Sequence, residues 1–317
     1  MEVRQLQTFC VLAEELNFTR TAERVFTVQS NVTSQIKALE GELGVPLFDR
    51  LAKRVVLTEA GRRFRPYAEK ALAAMDQGYR AVKFGTEPAG PLNIGAPESV
   101  LTYRLPEVLK LFRKRYPKVE LVFRPDSDNK LADELECGKL DLAISMSDSV
   151  DGEHLSSIRM RSEDIYLFAT LDHPLANAKK VFPKDLLDQT LLLTESGCGY
   201  RKKLDMQLAA ANVRPQHVTE FSSVEAIKQC VHAGMGIGLL PEIVIECELK
   251  KKQFTVMNWH GAKMSIATHI VWHKDKWISP GMQAFLDVLK ERLQQQTSSP
   301  TLVQHRAVRN AQQPAAG

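Results

Sequence analysis

Phe18-Thr19-Arg20-Thr21-Ala22-Glu23-Arg24-Val25 and, after a short turn, Gln29-Ser30-Asn31-Val32-Thr33-Ser34-Gln35-Ile36-Lys37 read as two short helices set close together, a helix-turn-helix. Thr19 suits the N-cap of the first, with Ala22, Val25 and Phe26 as its apolar residues. Gln29 or Ser30 opens the second, in which Val32, Ile36, Leu39 and Leu43 recur at helical spacing before Gly44 stops it. With that stripe facing inward, Asn31, Ser34, Gln35 and Ala38 lie on the opposite side, small and amide groups that can reach base edges in a major groove. The expectation is that the second helix reads DNA.

The flanks complete the unit. Leu6, Phe9, Cys10, Ala13 and Leu16 form one apolar helical stripe before it, and Phe48-Asp49-Arg50 with Val55-Val56-Leu57 form a short hairpin after it. The hairpin tip, Leu51-Ala52-Lys53-Arg54, is a basic wing. A bare pair of striped helices is as readily core packing as a DNA reader, and the wing favours the second reading. Net charge does not announce nucleic acid, because residues 1–58 carry seven basic and seven acidic side chains and the whole chain is only +4. Placement carries the argument: Arg20, Lys37, Arg50, Lys53 and Arg54 stand where phosphates would pass. Thr19, Gln29, Ser30, Asn31, Thr33, Ser34 and Gln35 complete the expected DNA-binding set.

The run Phe18-Thr19-x-x-Ala22-Glu23, Gln29-Ser30-x-Val32-Thr33-x-Gln35-Ile36, Leu39-Glu40-x-Glu42-Leu43-Gly44-Val45-x-Leu47-Phe48-x-Arg50 and Leu57-Thr58-Glu59-Ala60-Gly61 resembles the amino-terminal domain of LysR-type transcriptional regulators. The likeness is dense over residues 1 to about 85 and, in length and element order, extends to about 295. Val28 stands where many members have Ser, and Ser34 where many have Arg or His, so the docking mode carries over while base preference does not. The resemblance implies a homotetramer built as a dimer of dimers and a two-lobed, periplasmic-binding-protein-like effector domain.

The 317 residues suggest two or three domains, and 44% hydrophobic with 25% charged residues is ordinary for globular protein. No apolar run approaches a membrane span and residues 1–30 hold no signal-peptide core, so a cytoplasmic location is expected, with no membrane role. Five cysteines, Cys10, Cys137, Cys198, Cys230 and Cys247, lack CxxC spacing and fit reduced thiols rather than disulfides or zinc.

From Thr58 a long helix is expected, about 42 Å over residues 58–85 at 1.5 Å each. Phe64, Ala68, Ala71, Met75, Gly78 and Val82 make a heptad-like seam along it, with Pro66 near its start. So long a helix beside so small a domain points to dimerisation, although packing on its own domain is the alternative. Two reading helices about 34 Å apart would then meet a two-fold symmetric site. Thr86-Glu87-Pro88-Ala89-Gly90-Pro91 is the hinge.

From Leu92 the pattern alternates. Strand Leu92–Gly95, a helix over 99–115, strand Val119–Phe123, a helix over 127–137 and strand Leu140–Ser145 form a first unit. A second has strands near 164–170, 190–194, 217–221 and 237–240 and helices near 199–211, 223–234 and 241–248. Strand Ile266–Trp272 and helix Pro280–Leu293 return to the first half. The expected architecture is therefore α/β: a winged helix-turn-helix at 1–58, a linker helix and hinge at 59–91, and an effector domain at 92–295. Its lobe I covers 92–162 and 267–295, its lobe II 163–266, and residues 296–317, rich in Gln, Pro, Ser and Ala, are a disordered tail.

Ligands of open α/β sheets sit at strand carboxyl ends, where free N–H groups of the next helix point outward. Three segments qualify: Pro97 to Thr102, Thr194 to Arg201, and Phe221 to Val224. Their hydroxyls and helix dipoles favour an anionic group, and effector pockets of the resembled family use the positions of Ser99 and Thr102 and the lobe-two turn. Ser99, Val100, Thr102, Ser145, Ser196, Cys198, Tyr200, Arg201, Ser222 and Ser223 are the expected effector residues. Each serine could equally be a plain N-cap, and Arg201 could pair a carboxylate of ligand or protein. Cys198, at a glycine-flanked helix start, would have a lowered pKa, so a thiol redox switch is an alternative. Peroxide-sensing members also carry a second cysteine a few residues on, which Lys202 to Ala211 lack.

Enzyme readings fare poorly. Gly234-Met235-Gly236-Ile237-Gly238 follows a helix and precedes a strand, the reverse of a dinucleotide-binding turn. His269 and His273 share a strand face with no third ligand spaced to join them, so no metal or cofactor is expected. Lys179-Lys180 and Lys250-Lys251-Lys252 read as solvated charge. The expected function is a DNA-binding regulator answering to a small anionic effector and altering polymerase access. The rival is a small-molecule binding protein without a DNA role.

Overall fold

The computed structural model describes residues 1–51, 54–126, 128–150 and 152–295. Lys53 and the tail 296–317 lie outside them.

Helix α1 (Val3–Glu15) buries Leu6, Phe9, Leu12 and Ala13 on one side, the spacing of a helix with one dry face. Its stripe ends at Ala13: Leu16 caps the helix in the left-handed region and is exposed. Helix α2 (Phe18–Arg24) starts earlier than expected. Asn17, not Thr19, is the N-cap, its Oδ1 accepting from the N–H groups of Thr19 at 2.9 Å and Arg20 at 3.1 Å, which lets Phe18 turn inward. Phe26 is a second correction. It is 96% exposed, because its positive φ of 55° reverses the chain between the helices and takes the side chain off the apolar face.

Helix α3 (Gln29–Leu43) buries Val32, Ile36 and Leu39 and ends at Gly44. Strands β1 (Phe48–Leu51) and β2 (Arg54–Leu57) pair antiparallel, Phe48 opposite Leu57. Phe9 joins the parts, its ring 5.5 Å from that of Phe48 and 5.1 Å from that of Phe64.

Helix α4 (Glu59–Phe84) is capped by Thr58, whose Oγ1 accepts from the Gly61 N–H at 2.9 Å, so Pro66 lies within the helix rather than at its first turn. The anticipated seam divides. Phe64, Ala68 and Leu72 pack on the winged unit itself, while Ala71, Met75, Gly78 and Val82 are exposed, with Tyr67 and Tyr79 beside them. A third face, Glu69, Ala73 and Arg80, meets the second domain: Arg80 donates to the Pro91 carbonyl at 3.1 Å and stands 3.6 Å from Asp141.

That domain opens with β3 (Gly90–Ala96), α5 (Glu98–Tyr103), α6 (Leu105–Arg115), β4 (Val119–Pro125), α7 (Asp128–Glu136), β5 (Leu142–Met146) and β6 (Leu155–Thr170). There follow β7 (Thr190–Thr194), α8 (Gly199–Ala210), β8 (His217–Phe221), α9 (Val224–His232), β9 (Ile237–Pro241) and α10 (Glu242–Lys250). Last come β10 (Phe254–Val256), β11 (Ser265–His273) and α11 (Pro280–Gln295). The single helix expected over 99–115 is two, because Pro106 in the first turn of α6 has no N–H to continue the ladder from α5.

The strands follow the order β4-β3-β5-β11-β6-β9-β7-β8, with β10 also on β6. β3 is parallel to β4 and β5, and β7 is parallel to β8 and β9, whereas β11 runs antiparallel to β5 and β6, and β6 antiparallel to β9 and β10. Strand β6 changes partner along its length, lying on β11 from Leu155 to Asp164 and on β9 and β10 from Ile165 to Thr170. Two lobes thus hang on shared strands, with a cleft between them. The first half of β6 escapes a periodicity search because Arg159, Arg161 and Glu163 occupy positions where apolar residues would mark a strand. Helix α11 returns to lobe I, Phe285 meeting Phe112 of α6 edge-on at 5.2 Å.

Candidate nucleic-acid interface and ligand cleft

On α3 the outward side carries Gln29, Ser30, Ser34, Lys37 and Ala38 exposed, with Asn31, Thr33 and Gln35 half-buried. Two of the amides are held. Asn31 donates to Thr27 Oγ1 at 2.8 Å, and the oxygen of Gln35 accepts from Thr8 Oγ1 on α1. Thr19 donates to Gln29 Oε1 at 3.3 Å across the turn. Arg20 and Arg54 are exposed, and Arg50 lies on β1 opposite Val55. A protruding helix, its amides oriented by neighbours, beside a basic hairpin is a shape and charge pattern that fits a major groove and its flanking phosphates.

In the cleft, two of the three expected helix starts are already occupied by the protein. At α9, Ser223 donates to Glu98 Oε1 at 3.1 Å and the Val224 N–H donates to Glu98 Oε2 at 2.9 Å, so a lobe I carboxylate sits where an anion would bind. At α5, Ser99 is buried with its Oγ 3.6 Å from Met146 Sδ, Val100 is in the core and Thr102 faces solvent. Tyr103 of α5 adds to the closure, donating to Glu225 at 3.0 Å while its oxygen accepts from the buried Lys228 at 3.1 Å.

The third start remains open. A cavity of about 250 Å³ lies between α7, the end of β5 and the start of α8. Ser145, Ser147, Gly197, Gly199, Lys202 and Lys203 form its polar side, and Leu131, Leu135, Ala143, Val150, Leu155 and Val271 its apolar side. Ser145 and Ser147 share a hydrogen bond of 2.9 Å, and Lys203 of lobe II pairs with Asp148 of lobe I across the mouth. A Cβ on Gly199 would collide with the Met146 carbonyl oxygen, so the lobes touch backbone to backbone here. His269 stands opposite Ser145 in the β11–β5 ladder, as Val271 stands opposite Ala143, and hence on the same sheet face. Its ring is buried beside the Ser147 backbone. Burial, reinforced by Arg159, holds its pKa below the ordinary histidine value, so it is neutral at pH 7.

Residues 3–62 match the family model described as "Bacterial regulatory helix-turn-helix protein, lysR family", and residues 85–294 match the "LysR substrate binding domain". The chain is a LysR-type transcriptional regulator. It is 42% identical over 294 residues to the uncharacterized HTH-type transcriptional regulator YwqM of Bacillus subtilis (strain 168), covering 92% of this chain and 99% of that protein. It is 29% identical to the HTH-type transcriptional regulator GltR of the same organism, covering 93% and 98%. A full-length OxyR point variant from Pseudomonas aeruginosa superposes with TM-score 0.66 at 25% identity, covering 93% of this chain and 95% of that one. CbnR complexed with its target DNA shares the fold at TM-score 0.64 and 21% identity, covering 92% and 100%. This regulator accordingly binds DNA and carries an effector-binding domain.

Of the expected effector residues, only Ser145 lines the open cavity. Ser196 and Ser222 are exposed, and Tyr200 is packed in the core. Arg201 is used by the protein, donating to the Thr194 carbonyl at 2.5 Å and to Glu220 at 2.7 Å. Cys198 overturns the expectation of a lowered pKa: burial pushes its thiol up, outweighing Thr194 and the first N–H groups of α8. Cys10 and Cys137 are also raised by burial, to about 12 and about 11. The thiolate needed for a redox switch is therefore disfavoured at all three. Sequence reasoning missed Ser147, Lys202 and Lys203 of the cavity wall; the adjacent lysines one turn into a glycine-led helix were the available signal. Among the described residues, no group of three or more His, Cys, Asp or Glu could hold a metal ion, and no helix is long and apolar enough to cross a membrane.

The departure at Val28 has an energetic consequence, since Val28 is the N-cap of α3 and offers no side-chain acceptor. Val28→Ser is expected to stabilise the regulator by about 0.5–2 kcal/mol, read as a raised denaturation midpoint. No increase would mean that the α3 N-terminus is already satisfied by other groups.

Proposed function

We propose that this regulator is switched by a small molecule with one anionic head and a compact apolar body, held in the cavity between α7, β5 and α8. The observation that carries this reading is the division of the lining into a lysine and hydroxyl side and an aliphatic side. Lys202, Lys203 and the α8 N-terminus favour the anion. Ser145, Ser147 and His269 supply hydrogen bonds, and Leu131, Leu135, Leu155 and Val271 exclude water from the body of the ligand. A head binding Lys203 competes with Asp148 and thereby changes how the lobes meet, and with them the angle between paired DNA-binding units.

The assembly reading rests on the exposed apolar face of α4 at Ala71, Met75, Gly78 and Val82. It serves as the dimer contact, dimers pair into a homotetramer, and DNA bending governs access of RNA polymerase. The DNA contacts are those of the outward face of α3 with Arg20, Arg50, Lys53 and Arg54.

Thermal unfolding in benzoate, hexanoate, succinate and phosphate tests the ligand class. The two apolar monocarboxylates are expected to raise Tm and to shift the footprint on the intergenic DNA beside its own gene, with both effects lost in Lys203→Gln. If none of the four moves Tm or the footprint, the reading fails; if succinate alone does, the apolar side has been misassigned.

A further inference from the structure

The cavity and the helix-turn-helix are joined through one helix and one turn. Leu131, Ala132 and Leu135 of α7 line the cavity, and the turn directly after α7, Cys137-Gly138-Lys139, rests on α4 and α1. Gly138 is at φ 76°, and a Cβ there would stand 2.5 Å from the Ala73 side chain of α4, so the backbone of lobe I touches the linker helix with nothing between. Lys139 then reaches both N-terminal elements. Its Nζ is 2.9 Å from Glu69 of α4 and 3.5 Å from Glu14 of α1.

Each partner is tied further in. Glu69 is almost fully buried and also holds Arg65 at 2.8 Å. Glu14 holds Arg24 of α2 at 2.8 Å, and Arg24 also holds Glu15 at 2.9 Å. A line of contacts thus runs from the cavity wall along α7 to Lys139, Glu14 and Arg24, on the helix that positions the reading helix. A second runs through Glu69 into α4, whose exposed face is the proposed dimer contact. Packed helices shift as rigid bodies rather than deform, so a ligand that wedges α7 away from Lys202 and Met206 must also move the turn that carries Lys139.

We propose that α7 reports the occupancy of the cavity to the DNA-binding unit of the same chain, with Lys139 as the coupling residue. This rests on the reading of that cavity as the effector site. Lys139 touches neither DNA nor ligand and acts by positioning α1 and α4 against lobe I. Coupling between sites is reciprocal, so DNA must change the freedom of α7 even before the effector is identified.

Hydrogen exchange of the full-length protein, free and on the intergenic DNA beside its own gene, provides the test. In the wild type, DNA is expected to change exchange of the α7 amides at least about fivefold, the lower end of ordinary coupling. In Lys139→Gln that change is lost while DNA is still bound. Glu69 keeps Arg65 in this variant, so the fold is retained, and an unchanged Tm checks it. Lys139→Arg keeps the charge and restores the response. An α7 indifferent to DNA in the wild type, or responding equally in Lys139→Gln, overturns the proposal. If α7 responds to DNA but none of the four anions binds, the coupling stands and the ligand reading falls; if anions bind while α7 is silent, the coupling alone falls.

Discussion

Met75→Glu combined with Val82→Glu is expected to dissolve the dimer and to lower affinity for operator DNA at least about 100-fold, the lower end of what linking two binding units contributes. Met75 and Val82 are 52% and 87% exposed in the single chain, and with Ala71 and Gly78 they alternate by four and three residues along α4. A self-complementary apolar seam of this spacing is buried by a second copy of itself. Four glutamates brought together there would be like charges stripped of water. The winged unit packs on α4 through other residues, Phe64, Ala68 and Leu72, so folding and the weak DNA binding of a monomer should persist. Sedimentation and fluorescence anisotropy on the same samples decide the matter. A double variant that remains dimeric would place the dimer contact elsewhere.

Glu163→Leu carries the other large effect, on stability. Glu163 lies on β6 with its side chain 5% exposed, and Arg104 forks it with contacts of 2.6, 2.7 and 3.2 Å. Arg161 Nε stands 3.0 Å from the same carboxylate, and its Nη1 has no hydrogen-bond partner. Two guanidinium groups therefore share one carboxylate in a nearly dry site. Removing it takes the shared countercharge from two poorly hydrated cations, for which the expected cost is about 3–5 kcal/mol, a large part of the roughly 5–15 kcal/mol that holds a domain folded. Chemical denaturation reads this directly. Since the loss comes from stranded charge, Glu163→Leu with Arg161→Met should recover a good part of it; a loss below about 1 kcal/mol in the single variant would mean that water already reaches the cluster.

The DNA-binding half and the linker were legible because local chemistry governs them. The stripe Val32, Ile36 and Leu39, the stop at Gly44, the start of the long helix at Thr58 and the basic hairpin are set within a few residues of themselves, as is the strand and helix alternation of the second domain. The misplaced details were contests between equals. Asn17 and Thr19 are both good caps, and whichever lets Phe18 reach the core wins.

The ligand cleft was legible only as three helix starts rich in hydroxyls, and tertiary packing chose among them. Glu98 fills the start of α9 from 125 positions away in the chain, Met146 covers Ser99, and Glu220 with the Thr194 carbonyl consumes Arg201. Along the chain, a serine at a helix start looks the same whether its anion is a ligand or a glutamate of the other lobe. Local order along the chain was enough to set most of the elements and their succession, since helix and strand periodicity and capping act over one or two turns. Which polar groups remain free for a ligand was settled only when the lobes packed, because satisfying buried charges and N–H groups is a property of the whole fold.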